Sequence, residues 1–429
     1  MKKVFALFLV GLLFLNACSA GSSTEDKPDK AKNKKEITVW AWDPNFNIKA
    51  MNLAKDAYKS EDPDLKINII ENAQADIIQK LNTSLSSGTT KGLPNIVLIE
   101  DYRAQSFLQA YPDMFHELTE TFNVEDFADY KIPPTSLDGK NYGLPFDTGV
   151  SGLYVRKDYL EQAGYTLDDL KDIDWKQYIE IGKKVKKVTG KQMLTQDPND
   201  LGLIRMMIQS AGAWYLKEDG VTPNLADNDA LKVAFQTYKE LFDADIVKPV
   251  SDWSQFLAGF NSGDVATVPT GNWITPSIKA EASQSGKWGV VALPRLPDVA
   301  DSVNASNLGG SSWYVLNVAG KEKAADFLAK TFGSNVDFYQ TLNKEVGAIG
   351  TFKPAAQGEA YQAADDYFDG QKIISDFATW TEKIPQINYG MHTYAIEDIL
   401  VVEALNFLKG KDLNKALEDA QQQAQAQLK

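Results

Sequence analysis

Trp42 and Asp43 stand side by side at the end of an alternating run, and Glu100 and Asp101 close a short apolar one. An indole offers a flat apolar face, and a carboxylate accepts strong hydrogen bonds from hydroxyls. That pairing suits an uncharged, polyhydroxylated ligand with apolar C–H faces. The chain has ample material for it, with 9 Trp, 17 Tyr and 58 acidic residues in 429. Other chemistries lack parts. The only histidines, His116 and His392, lie far apart, and the only cysteine is Cys18, so metal ligands are scarce. No Gly-x-Ser-x-Gly elbow occurs. Asp197-Pro198-Asn199-Asp200 begins like a calcium loop but lacks the later acids, and reads as a turn. A glycosidase needs two carboxylates at a set separation, and acids this abundant leave that alternative open. The preferred reading is a binder that is not an enzyme, with no cofactor and no metal.

The carboxylates and indoles need elements to hold them. Ile37, Val39 and Ala41 alternate with Thr38, Trp40 and Trp42, which is strand periodicity. Ile48, Met51, Ala54 and Tyr58 share a helical face; a strand over 65–70 and a helix through Ile77, Leu81 and Leu85 follow, then the apolar run Ile96–Ile99. Such alternation predicts a parallel sheet covered by helices. In open α/β sheets the ligand sits outside the carboxyl ends of the strands, where Trp42, Asp43 and Asp101 fall. Asp43 and Asn45 serve equally well as hydroxyl binders or as caps of the next helix. Trp42 has a core alternative, and Asp101 a helix-cap one. The middle of the chain reads as mainly helical over 158–190, 200–216 and 229–244. Strand-like runs interrupt it at 152–155, 265–269 and 288–293, and the last at 313–318 has to pair with earlier strands. The chain therefore crosses between two lobes more than once. The tail, about 393–428, reads as helices split at Gly410.

The ends bound the compartment. Lys2 and Lys3 precede the apolar Val4–Leu15, about the length of a signal-peptide core and short of the roughly 20 residues that span a bilayer. Cys18 follows Leu15-Asn16-Ala17, resembling a bacterial lipobox apart from Asn16. The expectation is a signal peptide over 1–17 and a lipidated Cys18 carrying a diacylglyceryl group of palmitate-type chains, since two chains hold a protein to a membrane firmly. Residues 18–35, polar and without an aromatic, read as a tether. The formal net charge of −14 argues against nucleic acid as a partner and for an uncharged ligand.

Four further stretches carry a resemblance: Leu93-Pro94-Asn95-Ile96-Val97 leading to Glu100-Asp101, Asp138-Gly139-Lys140-Asn141-Tyr142-Gly143-Leu144-Pro145, Phe260–Ala266 leading to Gly271-Asn272-Trp273, and Ala416–Ala420 in the tail. In this order, behind a lipobox, they resemble the extracellular solute-binding proteins of carbohydrate ABC importers, the family of the maltodextrin-binding protein. The resemblance implies a two-lobed α/β fold of the periplasmic-binding-protein type II. Its lobes are expected at 36–146 plus 293–332 and at 147–292 plus 333–429. It further implies an oligosaccharide in the interlobe cleft, hinge closure, delivery to an ABC permease in the membrane, and a monomer outside the cytoplasm, anchored by its lipid. It marks Trp273 as a stacking residue, Asp101 as an acceptor for sugar hydroxyls, and Asp147 as a ligand residue beside the first lobe crossing. Tyr389 and His392 fall where the family places a late aromatic, with Met391-His392 departing from its tryptophan. Trp214 either lines the cleft floor or packs in the core. Trp313 follows Gly309-Gly310, where a close backbone approach makes Gly310 a ligand candidate. Trp40-Ala41-Trp42-Asp43-Pro44-Asn45 looks similar to binding proteins for lactose- or arabinose-type sugars. A cell-surface glycosidase and a carbohydrate-binding module outside transport are the alternatives.

Overall fold

The computed structural model describes residues 36–428; the leader, Cys18 and the tether lie outside the described residues. The first elements are β1 (Glu36–Ala41), α1 (Asn47–Tyr58), β2 (Lys66–Glu71), α2 (Gln74–Ser86), β3 (Ile96–Glu100) and α3 (Asp101–Ala110). Then come β4 (Gly143–Asp147), β5 (Ser151–Arg156), α4 (Trp175–Thr189), α5 (Gly202–Ser210), α6 (Asp229–Asp243), α7 (Trp253–Asn261), β6 (Thr267–Gly271), β7 (Trp288–Ala292) and β8 (Ser311–Val315). Further along lie α8 (Val336–Val346), α9 (Thr393–Leu408) and α10 (Leu413–Gln427).

Among the described residues, the larger sheet has the order β2-β1-β3-β8-β4. β1 pairs in parallel with β2 and β3, as the early alternation requires, and β8 inserts antiparallel between β3 and β4. A late segment thus completes an early sheet. Both faces of this sheet are covered. Ile37, Val39, Ile96, Leu98, Trp313 and Val315 point to one core, with Met51 and Ala54 of α1. Trp40, Val97, Ile99 and Tyr314 point to the other, with Ile77 and Leu81 of α2 and Phe107 of α3. Burial on both faces explains why β3 is a continuous apolar run rather than an alternating one.

A second sheet, β6-β5-β7, is antiparallel throughout and anchors the other lobe. Its helical layer buries Trp175 and Tyr178 of α4, Ile204 of α5, Phe235 of α6, and Leu400 and Leu417 of α9 and α10. The break in the tail falls where expected, with Gly410 at φ 103° and Asp412 capping α10 by accepting from the Lys415 N–H. One segment departs from its expected lobe. α8 lies against α1, its Phe338 ring meets Phe332 edge-on at 4.9 Å, and Lys49 of α1 pairs with Glu345. The aromatic cluster of Trp313, Phe146 and Phe332 draws α8 to the first sheet.

The lobes meet where three stretches run side by side. Gly149 donates its N–H to the Asn307 side chain, Leu308 donates to the Gly149 carbonyl, and Thr148 donates to the Ile349 carbonyl. A Cβ on Gly149 would come within 2.4 Å of the Leu308 carbonyl oxygen, so only glycine admits this approach.

Candidate functional site

A cleft of about 980 Å³ opens between the two sheets, near the upper end of the usual range for small-molecule sites. One wall is built at the carboxyl end of β1. The buried Asn47 side chain accepts the N–H groups of both Trp42 and Asp43, pinning them as the strand gives way to α1. Asp43 Oδ1 in turn accepts from the N–H groups of Asn45 (2.8 Å) and Phe46 (3.1 Å). Asp43 therefore caps the turn while lining the cleft, and Asn45 beside it is exposed.

The facing wall is aromatic. Trp273 follows β6 and donates its indole N–H to the Leu308 carbonyl at 2.7 Å. Its ring folds back over Gly271, where a Cβ would sit 2.2 Å from Nε1 and 2.7 Å from the Leu308 oxygen. Trp253, in the first turn of α7, lies with its ring centroid 5.9 Å from that of Trp273. These two indoles are 36% and 52% exposed, unusual for tryptophan unless the surface has work to do.

The floor comes from the crossing segments. Asp147 Oδ1 accepts from the Ser311 N–H at 2.9 Å and its hydroxyl at 2.6 Å, at the register shift between β4 and β8. Burial pushes its carboxyl above the ordinary carboxylate range, against the pull of Lys131 and Ser311. Gly310, at φ 87°, also lines the floor; a side chain there would be strained and would close on Asp101 Oδ2 at 3.0 Å. Glu100 Oε2 accepts from the Tyr394 hydroxyl at 2.6 Å, and the Arg103 guanidinium lies 3.8 Å from the centre of the Tyr394 ring. Arg205 is the one cation on the wall among the described residues, where Asp43, Glu100, Asp147, Asp197, Asp200 and Asp252 also line the space. Its Nε is 3.3 Å from Glu397 Oε1, and its buried Nη1 has no hydrogen-bond partner among the described residues.

Of the residues singled out in the sequence, the structure brings Trp42, Asp43, Asn45, Asp147, Trp273 and Gly310 to this cleft. It does not bring the others to the wall. Asp101 is fully buried, 2.5 Å from Lys131 Nζ and within reach of the Ser312 hydroxyl at 2.9 Å. Burial pushes its carboxyl up to about 6 despite Lys131. Trp313 packs between Phe146 and Phe332, with no exposure. Trp214 stacks on Tyr102 at 5.6 Å and donates to the Thr393 hydroxyl, while Tyr389 meets the same Tyr102 edge-on at 4.7 Å. Tyr102 does line the cleft, with Arg205 5.0 Å over its ring, so Trp214 and Tyr389 support the floor from behind. His392 stands half-buried at the start of α9, away from the wall, where burial lowers its pKa. The 197–202 stretch is a turn: Asn199 and Gly202 donate their N–H groups to the side chains of Asp197 and Asp200.

Sequence reasoning passed over Arg205, Trp253 and Asn47 as site residues, and placed Glu100 at the ligand edge of the sheet while choosing Asp101 beside it. Two of them had a signal. Arg205 is the lone charge in the apolar Leu203–Ile208, and a charge buried there needs a partner or a ligand. Trp253 lies inside Asp252-Trp253-Ser254-Gln255, where Asp252 caps α7 by accepting from the Gln255 N–H, a pattern that puts the indole in the first turn of a helix.

The family model for bacterial extracellular solute-binding proteins matches residues 54–369. The chain is 44% identical over 394 residues to the lactose-binding protein of Rhizobium radiobacter, covering 92% of this chain and 93% of that one. It is 27% identical to the arabinooligosaccharide-binding protein of Bacillus subtilis, covering 82% and 81%. Among solved structures, the galacto-N-biose/lacto-N-biose I-binding protein of an ABC transporter from Bifidobacterium longum superposes with a TM-score of 0.74. That pair shares 21% identity over 92% of this chain and 97% of the other, a likeness of fold. A two-lobed α/β fold and a match over most of its length place this chain in the family of bacterial extracellular solute-binding proteins, which implies an extracytoplasmic setting.

Proposed function

We propose that this chain is the ligand-capturing component of a carbohydrate ABC importer. It binds a neutral oligosaccharide in the cleft, closes over it, and delivers it to a membrane permease without altering it. The observation that carries the reading is the pair of exposed indoles, Trp253 and Trp273, in a cleft whose wall is otherwise lined by carboxylates and one arginine. Aromatic faces match the C–H faces of sugar rings, and the polar groups match hydroxyls. Six acids against one arginine repel anionic sugars. The similarity to lactose- and arabinooligosaccharide-binding proteins supports small neutral sugars as the class. The lobes are proposed at 36–146 plus 293–332 and 147–292 plus 333–428, with Val336–Val346 moved to the first.

Closure is a population shift drawn by the sugar's preference for the closed state. Calorimetry with lactose, arabinan oligosaccharides and a galacturonide, paired with small-angle scattering, tests it. Lactose or an arabinan oligosaccharide is expected to bind, the galacturonide to bind far more weakly, and the radius of gyration to fall at saturation. Hydrolysis of the sugar would support an enzyme instead, and binding at constant radius a rigid carbohydrate-binding module.

Attachment through Cys18 completes the proposal, on the strength of the apolar Val4–Leu15 and the small residue before the cysteine. Cys18→Ala is expected to release the protein from cells into the medium. Retention of the variant in the membrane fraction would rule this anchor out.

A further inference from the structure

A concentrated basic face stands on a chain whose formal net charge is −14. Residues 183–191 read Lys-Lys-Val-Lys-Lys-Val-Thr-Gly-Lys, with no acid among them. They form the last turns of α4 and its Gly190 cap, at φ 72°. The inward side of this helix packs into the core through Trp175, Tyr178 and Val185, which leaves the lysines outside. Cations complement the dipole at a helix C-terminus, a reason for Lys186 and Lys187 in the last turn but not for Lys183, Lys184 and Lys191. Nor do ion pairs neutralise the face. Lys183 meets Glu180 at 2.7 Å and Lys186 meets Asp245 at 2.5 Å, while Lys184, Lys187 and Lys191 form no ion pair among the described residues. Lys184 lies 4.4 Å over the ring of Tyr165, and Lys191 lies 5.8 Å over that of Tyr159. Asp264, whose carboxyl feels Lys191, is already held by Lys248. Val188 is 52% exposed in the middle of the face. Unpaired ammonium groups beside half-buried tyrosines and an exposed valine suit a layer of anionic lipid headgroups, where charge meets an apolar boundary.

We infer that the face of Lys183, Lys184, Lys187, Val188 and Lys191 docks the anchored protein on an anionic phospholipid surface and sets which side of it turns toward the membrane. This rests on attachment through Cys18. Residues 19–35 reach at most about 60 Å when fully extended. A compact body of this length is about 55 Å across, so the tether keeps every side of it within touch of the lipid. At the high effective concentration that follows, a few weak charges suffice to choose an orientation. The acid-rich remainder of the surface is repelled by the same headgroups, which reinforces the choice.

The test couples the protein without residues 1–17, through Cys18, its single cysteine, to maleimide-bearing lipid. The vesicles are phosphatidylcholine, with or without phosphatidylglycerol, and brief acetylation followed by mass spectrometry reads the exposure of each lysine. At low salt, Lys184, Lys187 and Lys191 are expected to label at least about threefold more slowly on the anionic vesicles, and high salt should abolish the difference. The exposed Lys66, Lys91 and Lys409, elsewhere on the surface, should differ by less than about twofold. Combining Lys184→Glu, Lys187→Glu and Lys191→Glu should remove the protection of the remaining Lys183, while the sugar-free melt stays unchanged because these side chains lie outside the core. Equal labelling of the face on both lipids, or equal protection of all lysines, would overturn the inference. Equal labelling together with lost sugar uptake in cells carrying the triple variant would give the face to an acidic protein instead and overturn the membrane reading. Because the coupling is chemical, none of these outcomes depends on whether cells lipidate Cys18, which the release of Cys18→Ala tests separately.

Discussion

Replacing Lys131 with Met is expected to cost the sugar-free protein about 3–5 kcal/mol, because it strands a carboxylate in the core. Lys131 and Asp101 are both without exposure, 2.5 Å apart. The ammonium spends its other donors on the carbonyls of Asp147 (3.0 Å) and Ser311 (2.8 Å), and Asp101 spends its second oxygen on the Ser312 hydroxyl. Every strong bond of the pair is made inside the protein, so removing either partner leaves the other with no solvent to turn to. The double variant Lys131→Met with Asp101→Leu should recover most of the loss, since a buried pair is worth little more than apolar groups of the same volume. Urea unfolding of the sugar-free proteins measures both. An unchanged stability in the single variant, with sugar binding lost, would return Asp101 to the role its sequence position implied.

That role was readable in part. The carboxyl ends of β1 and β3 do border the cleft, because period-two alternation and parallel pairing are local properties of the chain. What local pattern does not give is rotation. Glu100 ends β3 and faces the cleft; Asp101 opens α3 and turns inward. The choice between them depends on Lys131, 30 residues on, whose buried ammonium bonds the Asp101 carboxylate. The aromatics divide in the same way. Trp214, Trp313 and Tyr389 sit beside glycines or turns, as Trp273 does, yet only Trp273 reaches the wall. Trp313 is committed by β8 inserting between β3 and β4, a pairing across more than 160 residues that no window of sequence contains. Trp214 and Tyr389 come from different halves of the chain to meet on Tyr102. The helix α8 joined the first lobe through Phe332 and Phe338, again a matter of tertiary packing.

Trp273→Ala is expected to lower the affinity for the cognate sugar by roughly 30-fold or more, since a central aromatic anchor typically contributes about 2 kcal/mol. The indole is 36% exposed and attached to the scaffold by a single hydrogen bond, so the sugar-free melt should fall only slightly. Gly271→Ala offers an independent check that leaves the indole in place. The new methyl would lie 2.2 Å from Nε1 and 2.7 Å from the Leu308 carbonyl, closer than atoms pack. The indole must swing away or the crossing segment must shift, and either breaks the bond that aims the ring. Loss of sugar affinity in both variants would locate the effect in the ring's position rather than in its mere presence. Normal affinity in Trp273→Ala, with a clearly lower sugar-free melt, would make Trp273 part of the scaffold. Normal affinity in Gly271→Ala alone would mean that the ring finds a second productive pose once the bond to Leu308 is gone.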